Sequence, residues 1–164
     1  MPVTTISVER FSLIASRPFA DVLAAIEAAI GHPDVRQMSR NLGAAASVAE
    51  MEAIAEPLAG PTGLMEFFRL NLGDVIGKES PTPRRCVRLL VGNPIIMRSM
   101  ASHVPDAGSY APVTVLIDER TDGVHLSYDR MASQLAPYGS AAAGEVARDL
   151  DRKVEALLTS AAGQ

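Results

Sequence analysis

The chain has 164 residues, of which 48% are hydrophobic and 21% are charged. This composition is typical of a folded domain and excludes a disordered segment, and the length suits one domain with a single core. The net charge of −4 disfavours nucleic acid as a partner, because a surface that binds phosphates normally carries a basic excess.

Membrane insertion and secretion are also disfavoured. No run approaches the roughly 18 consecutive apolar residues of a membrane span, and residues 1–11 lack the basic and apolar regions of a signal peptide. Cys86 is the one cysteine and lies in an apolar run, so we expect a buried, unpaired thiol. The expectation is a cytoplasmic domain that contacts no membrane.

The first part of the chain predicts one strand and three helices. Residues 4–15 alternate in polarity, with a slip at Glu9 and Arg10 that a β-bulge would absorb. Three polar residues then precede apolar residues at helical spacing and predict N-caps. The predicted caps are Ser16, Asp34 and Ser47.

The middle of the chain predicts two strands. In residues 64–72, alternation places Leu64, Phe68 and Leu70 together on one apolar face. Residues 86–92 are apolar except for Arg88, as in a central strand that is buried on both faces. Asn93 then caps a helix that begins with a proline.

The last third predicts a hairpin and two further helices. Residues 113–119 and 124–128 flank Thr121, Asp122 and Gly123, which favour a tight turn. Asp129 is predicted to cap a short helix, and a long amphipathic helix follows from Ser140. The elements together predict an α+β fold, with a mostly antiparallel sheet of about five strands and helices packed mainly on one face.

Several of these segments carry a family resemblance. LLVGNP at residues 89–94, PVTVLIDE at 112–119, the turn at Asp122 and Gly123, and VHLSYD at 124–129 resemble the bacterial domain-of-unknown-function family 302. The resemblance implies a compact α+β domain, often dimeric, with no established reaction. It also implies a single domain over residues 1–164, with a helical insertion at about 34–60.

The chain departs from this family at two points. Shorter members carry an Asp-His pair at the end of the second strand, where this chain has Asn71, Leu72, Gly73 and Asp74. A role for that histidine therefore cannot be transferred. The Asp-Pro that follows the family's Ser-Tyr is Asp129 and Arg130 here.

The candidate site lies between the LLVGNP strand and the end of the hairpin. His103 is predicted near a helix C-terminus with an acid three residues later, so it is either a helix cap or a ligand. Hydroxyl, amide and thioether groups lie near it in the sequence. The predicted ligand-binding residues are His103, Tyr110, Asn93, Asp106, Tyr128, Met97 and Met100.

The residue types leave two chemistries open. His103 is the candidate metal ligand, since one histidine with methionine sulfurs can hold a non-covalent haem b, whereas scattered histidines give no zinc spacing. The favoured hypothesis is a non-catalytic homodimer that binds an apolar small molecule or haem. The alternative is a small enzyme in which His103 and Tyr110 perform acid-base chemistry.

Overall fold

The computed structural model describes residues 3, 5–79 and 81–164 of the chain. The described residues form five strands, seven α-helices and short 3-10 segments. The strands are β1 (Arg10–Ala15), β2 (Met65–Asn71), β3 (Cys86–Gly92), β4 (Val113–Arg120) and β5 (Gly123–Asp129). The helices are α1 (Phe19–Ala29), α2 (Val35–Ala44), α3 (Val48–Ala55), α4 (Gly73–Ile76), α5 (Pro94–Ala101), α6 (Met131–Leu135) and α7 (Ala141–Ala162).

The five strands form one sheet in the order β1-β5-β4-β3-β2. Every neighbouring pair is antiparallel. The α+β fold class and the five-stranded antiparallel sheet are therefore confirmed. No helix in the described ranges is long and apolar enough to cross a membrane.

Alternation along the strands gives the sheet two different faces. On β4, Val113, Val115 and Ile117 are buried against the helices, where α1 and α7 pack together. Residues between them point the other way, and much of that second face is exposed. We call it the bare face. It comprises Arg10, Ser12, Ile14, Phe68, Leu70, Cys86, Arg88, Leu90, Thr114, Leu116, Asp118, Arg120, His125, Ser127 and Asp129.

The first strand is shorter than predicted. It begins at Arg10, which pairs with Asp129, the last residue of β5. Beyond Asp129 the chain turns into α6, so residues 5–9 have no strand to pair with and are not part of a strand. Thr4, where the predicted strand begins, lies outside the described residues. The predicted bulge at Glu9 and Arg10 is therefore wrong.

A bulge does occur in β2 and reverses its predicted faces. The register shifts between Glu66 and Phe68, so Phe67 is the extra residue. Leu64 is fully buried, whereas Phe68 is 53% exposed on the bare face. The apolar face that simple alternation predicted for this strand therefore does not exist.

The strand β3 is not buried on both faces. It lies second from the sheet edge, between β2 and β4. Leu89 is fully buried on the helix side, but Arg88 is exposed and Leu90 is only half-buried on the bare face. The arginine marks the open side of the sheet, because a charged side chain is seldom buried without a partner.

Local capping signals predict three helix starts correctly. Asp34 Oδ1 accepts a hydrogen bond from Gln37 N at 2.9 Å, and Ser47 Oγ accepts one from Glu50 N at 3.2 Å. Asn93 Oδ1 accepts one from Ile95 N at 2.8 Å. Ser16 is not a cap, because its hydroxyl donates to Ala162 O instead.

The predicted cap of α6 is also wrong. The Asp129 carboxylate pairs with Arg10, and Asp151 from α7 accepts from the N-terminal amides of α6. Met131 N donates to Asp151 Oδ1 at 2.7 Å, and Ala132 N donates to Oδ2 at 3.1 Å. Asp151, which is distant in sequence, thus accepts hydrogen bonds from the first amides of α6, which would otherwise have no partner within the helix.

Tyr128 completes this buried polar cluster. Its hydroxyl donates to Asp151 Oδ1 at 2.5 Å and accepts from Met131 N at 3.2 Å. Burial, followed by the Asp151 hydrogen bond, raises the pKa of Tyr128 well above its ordinary value. The phenol therefore stays protonated and joins β5 to α7.

Replacing Tyr128 with Phe should lower the free energy of unfolding by about 1–3 kcal/mol, because it removes a hydrogen bond from the buried Asp151 carboxylate. Urea denaturation followed by circular dichroism measures the loss. Tyr138→Phe is the control, since Tyr138 is 38% exposed and its hydroxyl bonds to the Tyr110 hydroxyl near the surface, and it should change stability by less than about 0.5 kcal/mol. Equal losses in the two variants would contradict the prediction.

Candidate functional site

The seven predicted ligand-binding residues lie in four settings. Asn93, Met97 and Met100 line an apolar cleft at α5. Tyr110 lines a groove on the bare face, and the Tyr128 hydroxyl is held by Asp151. The remaining two side chains, His103 and Asp106, are exposed and line neither the cleft nor the groove.

The cleft at α5, called the α5 cleft below, has a volume of about 70 Å³ and lies where β3 ends and α5 begins. The side chains around it are apolar with one exception, Asn93. Met100 at its base is fully buried, and Met97 is half-buried. Its lining residues are Phe67, Gly92, Asn93, Pro94, Ile96, Met97, Met100, Ala111, Pro112, Val113 and Leu150.

Asn93 holds the mouth of the cleft in place. Its side-chain oxygen caps α5, and Nδ2 donates to Gly63 O at 2.9 Å. Both ends of the amide are therefore engaged by the protein. A ligand in the α5 cleft would meet apolar surface, with no unsatisfied polar side chain to orient it.

His103 has no partner in the described part of the chain beyond its backbone. Its N–H donates to Met100 O, but its ring makes no hydrogen bond or ion pair with Asp106 or with the Tyr110 hydroxyl. The predicted cap through Asp106 does not form. His103 therefore lies outside both the α5 cleft and the groove on the bare face.

Tyr110 is paired with a tyrosine that the sequence did not single out. The Tyr110 and Tyr138 hydroxyls lie 3.0 Å apart, where the 3-10 segment Ala136–Tyr138 follows α6. The hydrogen bond with Tyr110, followed by burial, raises the pKa of Tyr138 to about 12. The Tyr138 phenol is therefore a hydrogen-bonding group and a poor proton donor at neutral pH.

The residues suggested for haem do not fit that group. His103 is exposed and lies outside the cleft that holds Met97 and Met100. A volume of about 70 Å³ is also far below the roughly 300–1,000 Å³ of ordinary ligand sites. Among the described residues, no group of three or more His, Cys, Asp or Glu side chains could hold a metal ion.

The groove on the bare face is the larger opening. Two adjoining hollows of about 370 and 250 Å³ share Arg88, Thr114 and Asp129. We call them together the Arg88 groove. Its polar side chains come from the four strands β1, β3, β4 and β5, and Leu90 and Leu116 lie among them. Ser109, Tyr110 and Gln134 add polar groups from outside the sheet.

Two of the predicted ligand-binding residues, Tyr110 and Tyr128, line the Arg88 groove. The sequence did not single out Arg88, Thr114 or Ser127, although one signal for Arg88 was present. Arg88 interrupts an apolar run, but its meaning depends on which face of the sheet is open. The contributions of Thr114 and Ser127 depend on strand register, which one sequence does not supply. These three residues come together only when β3, β4 and β5 pair.

Acidic groups on the bare face are neutralised by arginines. Burial raises the pKa of Asp118, but hydrogen bonds from Arg120 and Arg84 outweigh burial and hold the pKa below its usual range. The hydrogen bond from Arg10 likewise lowers the pKa of Asp129. Both carboxylates are ionised and already paired at neutral pH.

Cys86 is buried and unpaired, which confirms the expectation for its thiol. It is 4% exposed on β3. Burial, and then the nearby Asp118 charge, raise its pKa. A raised pKa disfavours the thiolate, so Cys86 is poorly suited to act as a nucleophile.

Comparison with solved structures shows the fold. An uncharacterised DUF302 protein from Bacillus stearothermophilus superposes with a TM-score of 0.63 and 11% sequence identity, covering 91% of this chain and 94% of that chain. No curated protein matches the chain. The sequence profile of the domain of unknown function DUF302 matches residues 44–161, which is more than half of the chain. The chain therefore belongs to the DUF302 family.

Proposed function

We propose that the chain is a non-catalytic binding domain that holds an apolar group in the α5 cleft and acts as a homodimer. One observation carries the binding role. The cleft is lined by apolar side chains, and its single polar side chain, Asn93, is already bonded to the protein at both ends. Apolar contact is the interaction that such a surface can offer.

The size of the cleft limits what it can enclose. A volume of about 70 Å³ exceeds the roughly 10–15 Å³ needed for one water and is about half of a cavity that binds benzene. It therefore suits a short alkyl group, with the rest of the molecule outside. The unbranched side chains of Met97 and Met100 can also adjust to fit such a group.

The enzyme alternative has less support. His103 does not reach Tyr110, and neither residue lines the α5 cleft. General acid-base catalysis needs a proton carrier within hydrogen-bond reach of the substrate. The cleft offers no such group, so a binding role accounts better for its composition.

The homodimer rests on a second observation, an exposed apolar segment. Phe68 and Leu70 on β2 are 53% and 37% exposed, and Val75 and Ile76 on α4 are 63% and 47% exposed. These are four of the nine exposed large apolar side chains among the described residues, and all four fall within residues 68–76. Concentrated apolar exposure of this kind typically marks an interaction surface.

The position of the segment favours a second copy of this chain as the partner. β2 is an edge strand that Gly31 bridges at Met65, so beyond Glu66 the same strand of another copy can pair with it in a two-fold arrangement. Asp74 and Lys78 flank the exposed α4 side chains with opposite charges. A two-fold axis brings unlike charges from such a segment together, which makes the surface self-complementary.

Binding in the cleft can be tested with methyl-labelled methionine. Adding n-pentane should shift the methyl signals of Met97 and Met100 in carbon-13 NMR spectra and leave Met38 unchanged, because Met38 is buried on α2. In Ile96→Phe, the larger ring occupies the cleft, so the pentane response should fall at least fivefold. The neighbouring Ile95→Phe is the matched control and should retain it. A response that survives in Ile96→Phe would rule out this cleft.

The dimer can be tested by light scattering coupled to size-exclusion chromatography. The wild-type chain should elute with twice its mass of 17.3 kDa. Phe68→Glu should produce a monomer, because it places charge on the exposed apolar segment. Ile14→Glu is the control, since Ile14 is 44% exposed on the opposite edge strand and should remain dimeric. A monomeric wild type would contradict the dimer, and a dimeric Phe68→Glu would contradict this interface.

A further inference from the structure

Among the described residues, three side-chain hydrogen-bond donors without partners surround Leu116 on the bare face. Arg88 on β3 and Ser127 on β5 are the direct cross-strand neighbours of Leu116. Thr114 lies two residues earlier on β4, and therefore on the same face. In the described ranges, none of these three side chains has a hydrogen bond or ion pair.

Arg88 differs in this respect from the other arginines of the face. Arg10 makes a two-point contact with Asp129, at 2.6 and 2.8 Å. Arg120 and Arg84 both contact Asp118, at 2.9 and 3.4 Å. The acids on this face are thus already matched with cations, and the Arg88 guanidinium is left as a positive charge beside the groove.

The groove around Arg88 has the size and the walls of a ligand site. Its larger hollow is about 370 Å³, within the usual range for small molecules. Leu90 and Leu116 supply apolar surface beside the guanidinium. Tyr110 also lines this hollow, so the groove has both polar and apolar walls.

We propose that the Arg88 groove binds an aliphatic carboxylate, with its carboxylate on Arg88 and the Thr114 and Ser127 hydroxyls, and its alkyl chain on Leu90 and Leu116. This site is separate from the α5 cleft and goes beyond the function proposed above. A guanidinium presents parallel N–H groups that match the two oxygens of a carboxylate. The neighbouring hydroxyls can each donate one further hydrogen bond.

The charge balance favours a carboxylate over a phosphate monoester. One unmatched guanidinium neutralises a single negative charge, whereas a phosphate monoester carries about −1.5 to −2 near pH 7. Asp129 also borders the groove, and its charge is balanced only by Arg10. A doubly charged ligand would therefore face an excess of negative charge, while a carboxylate would not.

The experiment compares three probes on the full chain labelled with nitrogen-15. Sodium hexanoate should shift the amide signals of residues 88, 114, 116 and 127, whereas 1-hexanol, which has the same chain without the charge, should not. Inorganic phosphate should bind more weakly than hexanoate. Arg88→Gln should weaken hexanoate binding about tenfold or more, and Arg88→Lys less, because an ammonium lacks the paired N–H groups.

The controls separate this site from general attraction to arginine and from the α5 cleft. Arg36 is an exposed arginine on α2, outside the groove, so Arg36→Gln should bind hexanoate as the wild type does. In Arg88→Gln, the Met97 methyl should still respond to pentane, which shows that the fold and the cleft are intact. If Arg88→Gln does not fold, Thr114→Val replaces it and should weaken binding at least twofold.

Three results would overturn the proposal. The first is unchanged hexanoate affinity in Arg88→Gln or in the Thr114→Val replacement. The second is an equal response to 1-hexanol, which would show that apolar contact alone drives binding. The third is tighter binding of phosphate than of hexanoate, which would reject the carboxylate as the ligand class.

Discussion

The hydrogen bond from Tyr128 to Asp151 is the contact on which the arrangement of sheet and helices depends. It ties β5 to α7, and the same carboxylate accepts the first amides of α6. Asp151 is 6% exposed, and a buried carboxylate is costly unless its lone pairs are used. The need to satisfy this one group therefore fixes the direction of α6 and the position of α7 against the sheet.

Because α7 packs on one side of the sheet, one face carries buried apolar side chains and the other carries side chains that water reaches. The helices bury Val115, Ile117 and Leu126 on the inner face. The α5 cleft opens where that packing ends, so its lining is apolar core surface. The Arg88 groove lies on the bare face, where strands present side chains that water must solvate. Because the helices pack on one face of the sheet, the same domain has an apolar opening and a polar opening.

The sequence predicted the features that depend on near neighbours. Asp34, Ser47 and Asn93 cap helices as expected, because a cap acts within three residues of itself. Cys86 is buried, as its apolar neighbours indicated. The features that failed depend on distant partners. Nothing near Asp151 in the sequence indicates that it replaces Asp129 as the α6 cap, and alternation alone could not reveal the bulge at Phe67. The predicted site residues also lie in separate places because strand register and helix position, which depend on distant partners, decide which side chains meet.

Three ionisable groups on or near the bare face, Asp129, Tyr138 and Cys86, have pKa values that are shifted away from neutral pH. The hydrogen bond from Arg10 lowers the pKa of Asp129, so this carboxylate does not take up a proton near pH 7. The hydrogen bond with Tyr110 raises the pKa of Tyr138 to about 12, and burial raises that of Cys86. Acid-base and nucleophilic catalysis require the opposite, since a catalytic group works best with a pKa near the operating pH. Groups held in one protonation state are suited to recognising a ligand, because their hydrogen-bonding pattern does not change as pH varies around neutrality.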